Sequence, residues 1–389
     1  MNIRDFFFKK EDPKVEVIES NNYHNFSTPF GQIGKGNLSL PYVRAYSHNE
    51  PYIRFGTDNL FPQLINQMYY TSPLNGGIIN FKANSVIGGG YIINSRTKTA
   101  KEKVDEYTFT KRINLDKLSR QLTKDLIMHE RVTLLICNKN GVKTIKRISP
   151  EKVRNNVDKT IFTVSDDWSR SIDIKQYQPY TPALQGESIY LYENDLVAGQ
   201  EYYPIPSYCS ANNWMFVDGE MSYLQKSNII NSIFPSFMIT MAKKFESDNE
   251  VQAFKKTIDN AKGAPDAGRI MTFVSEFPEN LPTVTALPQN NNDKLFVETV
   301  TNLEANICRA HQIDPLIMGI RVSGKLGSGN ELKQSYTIFE KNIVIPLRRQ
   351  MTEIFNDIMI IGGFVSTIEI NNFQIIEEQI IQAKENSNE

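Results

Sequence analysis

A long helical run over residues 331–360 carries a proline, Pro346, near its centre. Proline lacks a backbone N–H and its ring collides with the carbonyl four residues back, here that of Asn342. The run must therefore bend or break there. Two consecutive helices meeting at the proline give almost the same picture. Just before it lies a Gly/Ser-rich stretch, Arg321-Val322-Ser323-Gly324-Lys325-Leu326-Gly327-Ser328-Gly329. Before that, residues 293–312 place Phe296, Val300, Leu303, Ile307 and Ala310 on one stripe of a helix. The order is amphipathic helix, flexible loop, bent helix.

Upstream, residues 222–234 predict a helix that starts through Asp218-Gly219 and ends near Pro235. The Gly-, Pro- and Asn-rich residues 235–292 hold a helix over 249–261 and a strand over 269–274. The first half mixes both element types. Residues 62–90 predict two helices divided by Pro73 and stopped by Gly88-Gly89-Gly90. Residues 115–130 predict another helix, and 132–148 a hairpin turning at Asn140-Gly141. Short strands are expected at 160–164, 171–177, 188–191 and 364–370. Residues 1–60 read as an irregular arm and those after 377 as a polar tail. The fold class is α+β.

With 43 Lys and Arg against 44 Asp and Glu, the formal net charge is −1. That argues against tight non-specific nucleic-acid binding, though not against a channel that DNA slides through. No run approaches the ~20 apolar residues that span a bilayer, and residues 1–10 lack the long apolar core of a signal peptide. Cys137, Cys209 and Cys308 form no CxxC pair, which fits a reducing compartment. Cys308 and His311 lie one helical turn apart, yet two residues make no metal site, and packing is the expected role. The four histidines are scattered, and no hydrolase or metal motif occurs. Gly319-x4-Gly324-Lys325 fits a phosphate-binding loop until Leu326, where Ser or Thr should meet Mg²⁺. No catalytic residue, cofactor or metal is expected.

Three blocks together resemble the portal proteins (head–tail connectors) of tailed bacteriophages, over roughly residues 60–360. The first is Ser72-Pro73-Leu74 leading through Ile78, Ala83-Asn84 and Gly88-Gly89-Gly90. The second is Asp125-Leu126-Ile127-Met128-His129-Glu130, the hairpin, then Ile148-Ser149-Pro150-Glu151-Lys152-Val153. Here the glycine usual after the helix is replaced by His129-Glu130-Arg131. The third is Phe296 and Glu298 opening a helix that ends Ile307-Cys308-Arg309-Ala310-His311-Gln312-Ile313-Asp314-Pro315-Leu316-Ile317-Met318-Gly319. Ser328-Gly329-Asn330-Glu331, Phe339 and Ile343-Val344-Ile345-Pro346-Leu347 follow it.

The resemblance implies an arm (1–60), a wing (61–217), stem helices (218–234 and 293–314) and a clip (235–292). It also implies a tunnel loop (315–330), a long kinked wing helix (331–362) and a short terminal strand and tail (363–389), with little or no crown. The stem helices would present apolar faces (Leu224, Ile229, Ile230, Ile233; Phe296, Val300, Leu303, Ile307) to a core and polar faces to a lumen. Periodicity alone favours an ordinary surface helix pair; the resemblance reverses that order. Arg321, Ser323, Lys325 and Ser328 would face DNA, and Pro265, Asp266, Arg269, Met271 and Phe273 would dock partners. The strand at 269–274 pairs either with a neighbouring subunit or within its own. Pro346 marks the kink. The implied partners are other copies in a ring, a dodecamer in the family, and double-stranded DNA held weakly and without sequence preference. The terminase large subunit, a head–tail adaptor and the major capsid protein complete the set, with no membrane. The implied location is the portal vertex of the virion, after synthesis in the bacterial host cytoplasm. The alternatives are an α+β nucleotide-binding enzyme using Gly324-Lys325, or another ring-forming virion component.

Overall fold

A computed structural model describes residues 51–231 except 57, 97–98 and 171–172, then 237–240, 249, 252, 256, 283–286, 292–320 and 329–372. Leu60 precedes α1 (Phe61–Thr71), and Ser72 separates it from α2 (Pro73–Ile87). Pro73 takes the first position of α2, where its missing N–H costs nothing, and the Ser72 hydroxyl accepts from the Asn75 N–H. After β1 (Tyr91–Asn94) come α3 (Ala100–Ile113) and α4 (Leu115–His129). The sequence reading missed α3. Its apolar stripe is thin, but Thr99 and Glu102 form a reciprocal capping box that the spacing allowed.

α4 ends where Glu130 adopts a left-handed backbone, φ 52. A non-glycine side chain rarely adopts this conformation, which here closes the helix. Next come β2 (Arg131–Lys139) and β3 (Val142–Ile148), paired as the expected hairpin. Asn140 and Gly141 both have positive φ, 52 and 86, as a two-residue turn matched to strand twist requires. β4 (Val153–Asn155), β5 (Phe162–Val164), β6 (Lys175–Pro179) and β7 (Gly186–Glu193) complete a six-stranded sheet in the order β3-β2-β7-β6-β5-β4. Among the described strands, β6 and β7 alone pair in parallel.

α5 (Asn212–Asn231) starts ten residues before the expected position, and Asp218 and Gly219 lie inside it. Asp218 looked like a helix start, but its carboxylate caps a different helix. It accepts from the Ser72 hydroxyl at 2.5 Å and the Leu74 N–H at 3.2 Å, both at the head of α2. β8 (Phe237–Thr240) and β9 (Thr283–Ala286) pair antiparallel. α6 (Asn292–Ala310), α7 (Gly329–Phe339) and α8 (Ile345–Gly362) follow, then β10 (Thr367–Ile370), which pairs antiparallel with β1.

One apolar core runs through α1, α2, α4, the start of α5, the end of α6, α8 and one face of β2. Residues 53 and 55 belong to it and not to an irregular arm: Ile53 and Phe55 are buried, and Phe55 stacks on Tyr203 at 4.4 Å.

Candidate functional site

The four residues expected to face DNA, Arg321, Ser323, Lys325 and Ser328, lie outside the described residues, as do Pro265, Asp266, Arg269, Met271 and Phe273. What is described is the frame on both sides of them.

α5 and α6 are neighbours, and the end of α6 stands beside the start of α5. There the His311 ring stacks on Tyr208 at 4.6 Å. The far end of α5 leads into β8, and β9 leads into α6. Because β8 and β9 pair, the two helices run antiparallel, with the β8–β9 pair following α5 and preceding α6. Leu303 and Ile307 of the expected α6 stripe are buried. Leu224, expected on an apolar face of α5, is 49 % exposed in the single chain, because α5 leaves the core after its first turns.

A polar chain crosses the junction of these helices with α2. His311 Nε2 is 2.9 Å from Asn75 Oδ1, and Nδ1 is 3.4 Å from the Lys82 ammonium. With Nε2 protonated, Asn75 Oδ1 accepts its hydrogen bond and Nδ1 accepts one from the Lys82 ammonium. Lys82 is only 8 % exposed, and burial lowers it to about 8. Burial also holds His311 neutral, well below the usual imidazole range. Cys308 is buried in the core cluster, and no group of three or more metal-ligating side chains occurs among the described residues. The expectation of packing for Cys308 and His311 fits these contacts.

Between α7 and α8 the chain does not break at Pro346. Residues Glu340–Val344 form a wide π turn, and Pro346 sits in the first turn of α8. A widened turn is how a helix shifts the carbonyl that the ring would strike. Arg348, buried one half-turn on, fastens this region. Its guanidinium donates to the Ser85 and Val86 carbonyls at 2.8 and 3.2 Å, to Asn372 Oδ1 at 2.8 Å and to Glu340 Oε1 at 3.4 Å. The last turn of α2 has no basic residue of its own, so Arg348 supplies the cation there.

On the sheet side, Arg154 is completely buried. It donates to Asn59 Oδ1 and O, to the Glu151 and Val153 carbonyls and to Gln63 Oε1, at 2.7 to 3.4 Å. It also lies over the Trp168 ring at 4.8 Å. Asn59 holds this geometry in a left-handed conformation, φ 62. Nothing in the sequence spacing pointed to this arginine.

A cleft of about 640 Å³ opens beside it, lined by Arg147, Glu151, Lys152, Asp166 and Lys175 among others. Its charges are largely paired: Arg147 grips the buried Asp125 through two nitrogens, and Lys152 meets Asp166 at 2.7 Å. Gly319 follows a short 3-10 turn, Pro315–Met318, and not the strand that a phosphate-binding loop follows. No helix among the described residues is long and apolar enough to cross a membrane.

Comparison with solved structures finds this architecture in gene transfer agent (GTA) particles. A chain of the virion of the native particle superposes with a TM-score of 0.55 at 14 % identity, over 84 % of this chain and 89 % of that one. Chains from two neck structures match as well. The native neck computed with C12 symmetry gives 0.54, 14 %, 83 % and 88 %, and the empty-particle neck computed with C6 symmetry gives 0.55, 13 %, 82 % and 86 %. The fold is one found in the neck of a GTA particle. No family profile and no curated protein sequence matches the chain. In each case the match extends over more than four-fifths of this chain.

Proposed function

We propose that the chain is the portal subunit of a phage-like particle, forming a ring at the capsid vertex through which double-stranded DNA enters and leaves. The observation that supports this best is the near full-length likeness to neck chains, one from a neck of C12 symmetry. The antiparallel helix pair and the order of helix, loop and bent helix agree with it. In this reading residues 235–292 dock the terminase large subunit and then the head–tail adaptor, while the wing meets the major capsid protein. Residues 315–330 reach the DNA through Arg321 and Lys325, which touch phosphates without reading bases. The role is mechanical and assigns the chain no reaction and no cofactor. A formal charge of −1 per subunit suits a channel that must let DNA slide.

Mass photometry and negative-stain imaging of the purified chain near physiological salt test the proposal. The expected species is a ring of about a dozen copies with a central hole. A chain that stays monomeric or dimeric at every concentration and ionic strength, and whose melting temperature rises with Mg·ATP, would instead favour a nucleotide-binding protein.

A further inference from the structure

The near-neutral total hides a strong local imbalance. Between Lys111 and Arg147 there are ten Lys and Arg against three Asp and Glu. All three acids are occupied. Asp125 is buried against Arg147, Asp116 accepts from the Tyr91 hydroxyl at 2.9 Å, and Glu130, at the helix end, bonds to the Ser207 backbone. Of the cations, Arg131 is buried and Arg147 is taken by Asp125. None of the remaining eight is in an ion pair among the described residues.

The fold gathers them. Lys117, Arg120 and Lys124 recur at i, i+3 and i+7, so they form one line about 10 Å long on the outer side of α4. Lys111 and Arg112 end α3 beside it. Arg112 donates to the Lys143 carbonyl at 3.1 Å, which ties the end of α3 to the edge strand β3. The Lys143 ammonium then donates to the Tyr180 hydroxyl at 3.0 Å. Lys139 near the hairpin tip and Lys146 along β3 extend the surface.

We infer that this face of the wing, α4 with the end of α3 and the β2–β3 hairpin, binds the phosphate backbone of double-stranded DNA without sequence preference. Six of the eight cations are lysines. Lysine is depleted at protein–protein interfaces, whereas it serves as a point charge on phosphates. The outer line of α4 is polar throughout and offers no apolar centre for a protein partner to bury. Its residues are distinct from those of the Gly/Ser stretch, and the inference does not depend on ring formation.

The test is fluorescence anisotropy of the full chain with a labelled 30-base-pair duplex between 50 and 200 mM NaCl. K111Q/K117Q/R120Q/K124Q should weaken binding about tenfold or more at 100 mM and make the salt slope shallower by roughly three to four. K101Q/K103Q/K175Q/K341Q removes the same charge elsewhere and should change little, and R321Q/K325Q separates the loop. Equal loss in the patch and control variants, or no loss in either, overturns the inference. So does displacement of DNA by polyglutamate at equal charge concentration, since an acidic protein face would then be the partner. Ring formation by the same variants reads the portal proposal independently, and circular dichroism confirms that they fold.

Discussion

Two buried cations, Arg154 beside the six-stranded sheet and Lys82 where α2 meets the helix pair, solve the same problem differently. Arg154 has acceptors around its whole guanidinium, every one neutral and three of them backbone carbonyls. Lys82 has His311 Nδ1 at 3.4 Å. Burial lowers both, Arg154 to about 10 and Lys82 to about 8. Arginine stays charged well above neutral pH and acts as a fixed brace. Lysine is brought close to its titration range, and the junction it serves is sensitive to protons. A planar fork can be saturated by the backbone carbonyls that a strand start and a turn leave unpaired, whereas a compact ammonium cannot.

The largest effect expected is at the brace. R154M removes the donor to the Asn59 and Val153 carbonyls and one of two donors to Asn59 Oδ1 and the Glu151 carbonyl, which keep the Phe55 N–H and Gln63 Nε2. Unfolding free energy should fall by about 4 kcal/mol, read by chemical denaturation. A loss below about 1 kcal/mol would mean that water replaces the guanidinium and that the two sites differ less than their contacts suggest.

The next effect lies at the junction and depends on pH. Lys82 titrates at about 8 folded against 10.5 unfolded. Between those values the unfolded chain binds the extra proton, so stability rises with pH across the window. The rise is about 3 kcal/mol, since a protein that differs by one bound proton gains about 1.4 kcal/mol for each pH step of one. Below pH 8 both states are protonated and the full penalty remains. K82M removes this dependence: it should gain on the wild type at pH 7 and lose that advantage by pH 10.5. Parallel stability curves for the two proteins would show that Lys82 reaches water.

Sequence reading captured the parts of this fold that are fixed locally. Pro73 divides α1 from α2, Asn140-Gly141 turns the hairpin, and the spaced leucines of α4 face the core, because each needs only its neighbours. What it missed is settled by distant residues. Asp218 belongs inside α5 because its carboxylate caps α2, and β1 exists because β10 pairs with it from the other end of the chain. Arg154 gives no periodic signal, since its partners are Asn59 and a turn. The basic face had a legible signal, the charge imbalance over residues 111–147, but the chain-wide total concealed it.

Pro346 was legible as a kink, while the form of the kink was not. The proline and Arg348 both act on the π turn, and they can be separated. P346A restores an N–H and removes the steric collision, so a turn held only by proline would relax to a regular helix and gain stability. Arg348 reaches from α8 across that turn to Glu340 and down to the end of α2, and none of these contacts needs proline. P346A should therefore shift stability by less than about 1 kcal/mol and keep the turn. R348M should cost about 2 kcal/mol, from the uncapped α2 carbonyls and the lost helix-terminus cation. Amide hydrogen exchange through residues 340–347 distinguishes the causes. Faster exchange in R348M alone assigns the bend to the arginine, as in the Arg154 brace. Slower exchange in P346A with R348M unchanged assigns it to the proline.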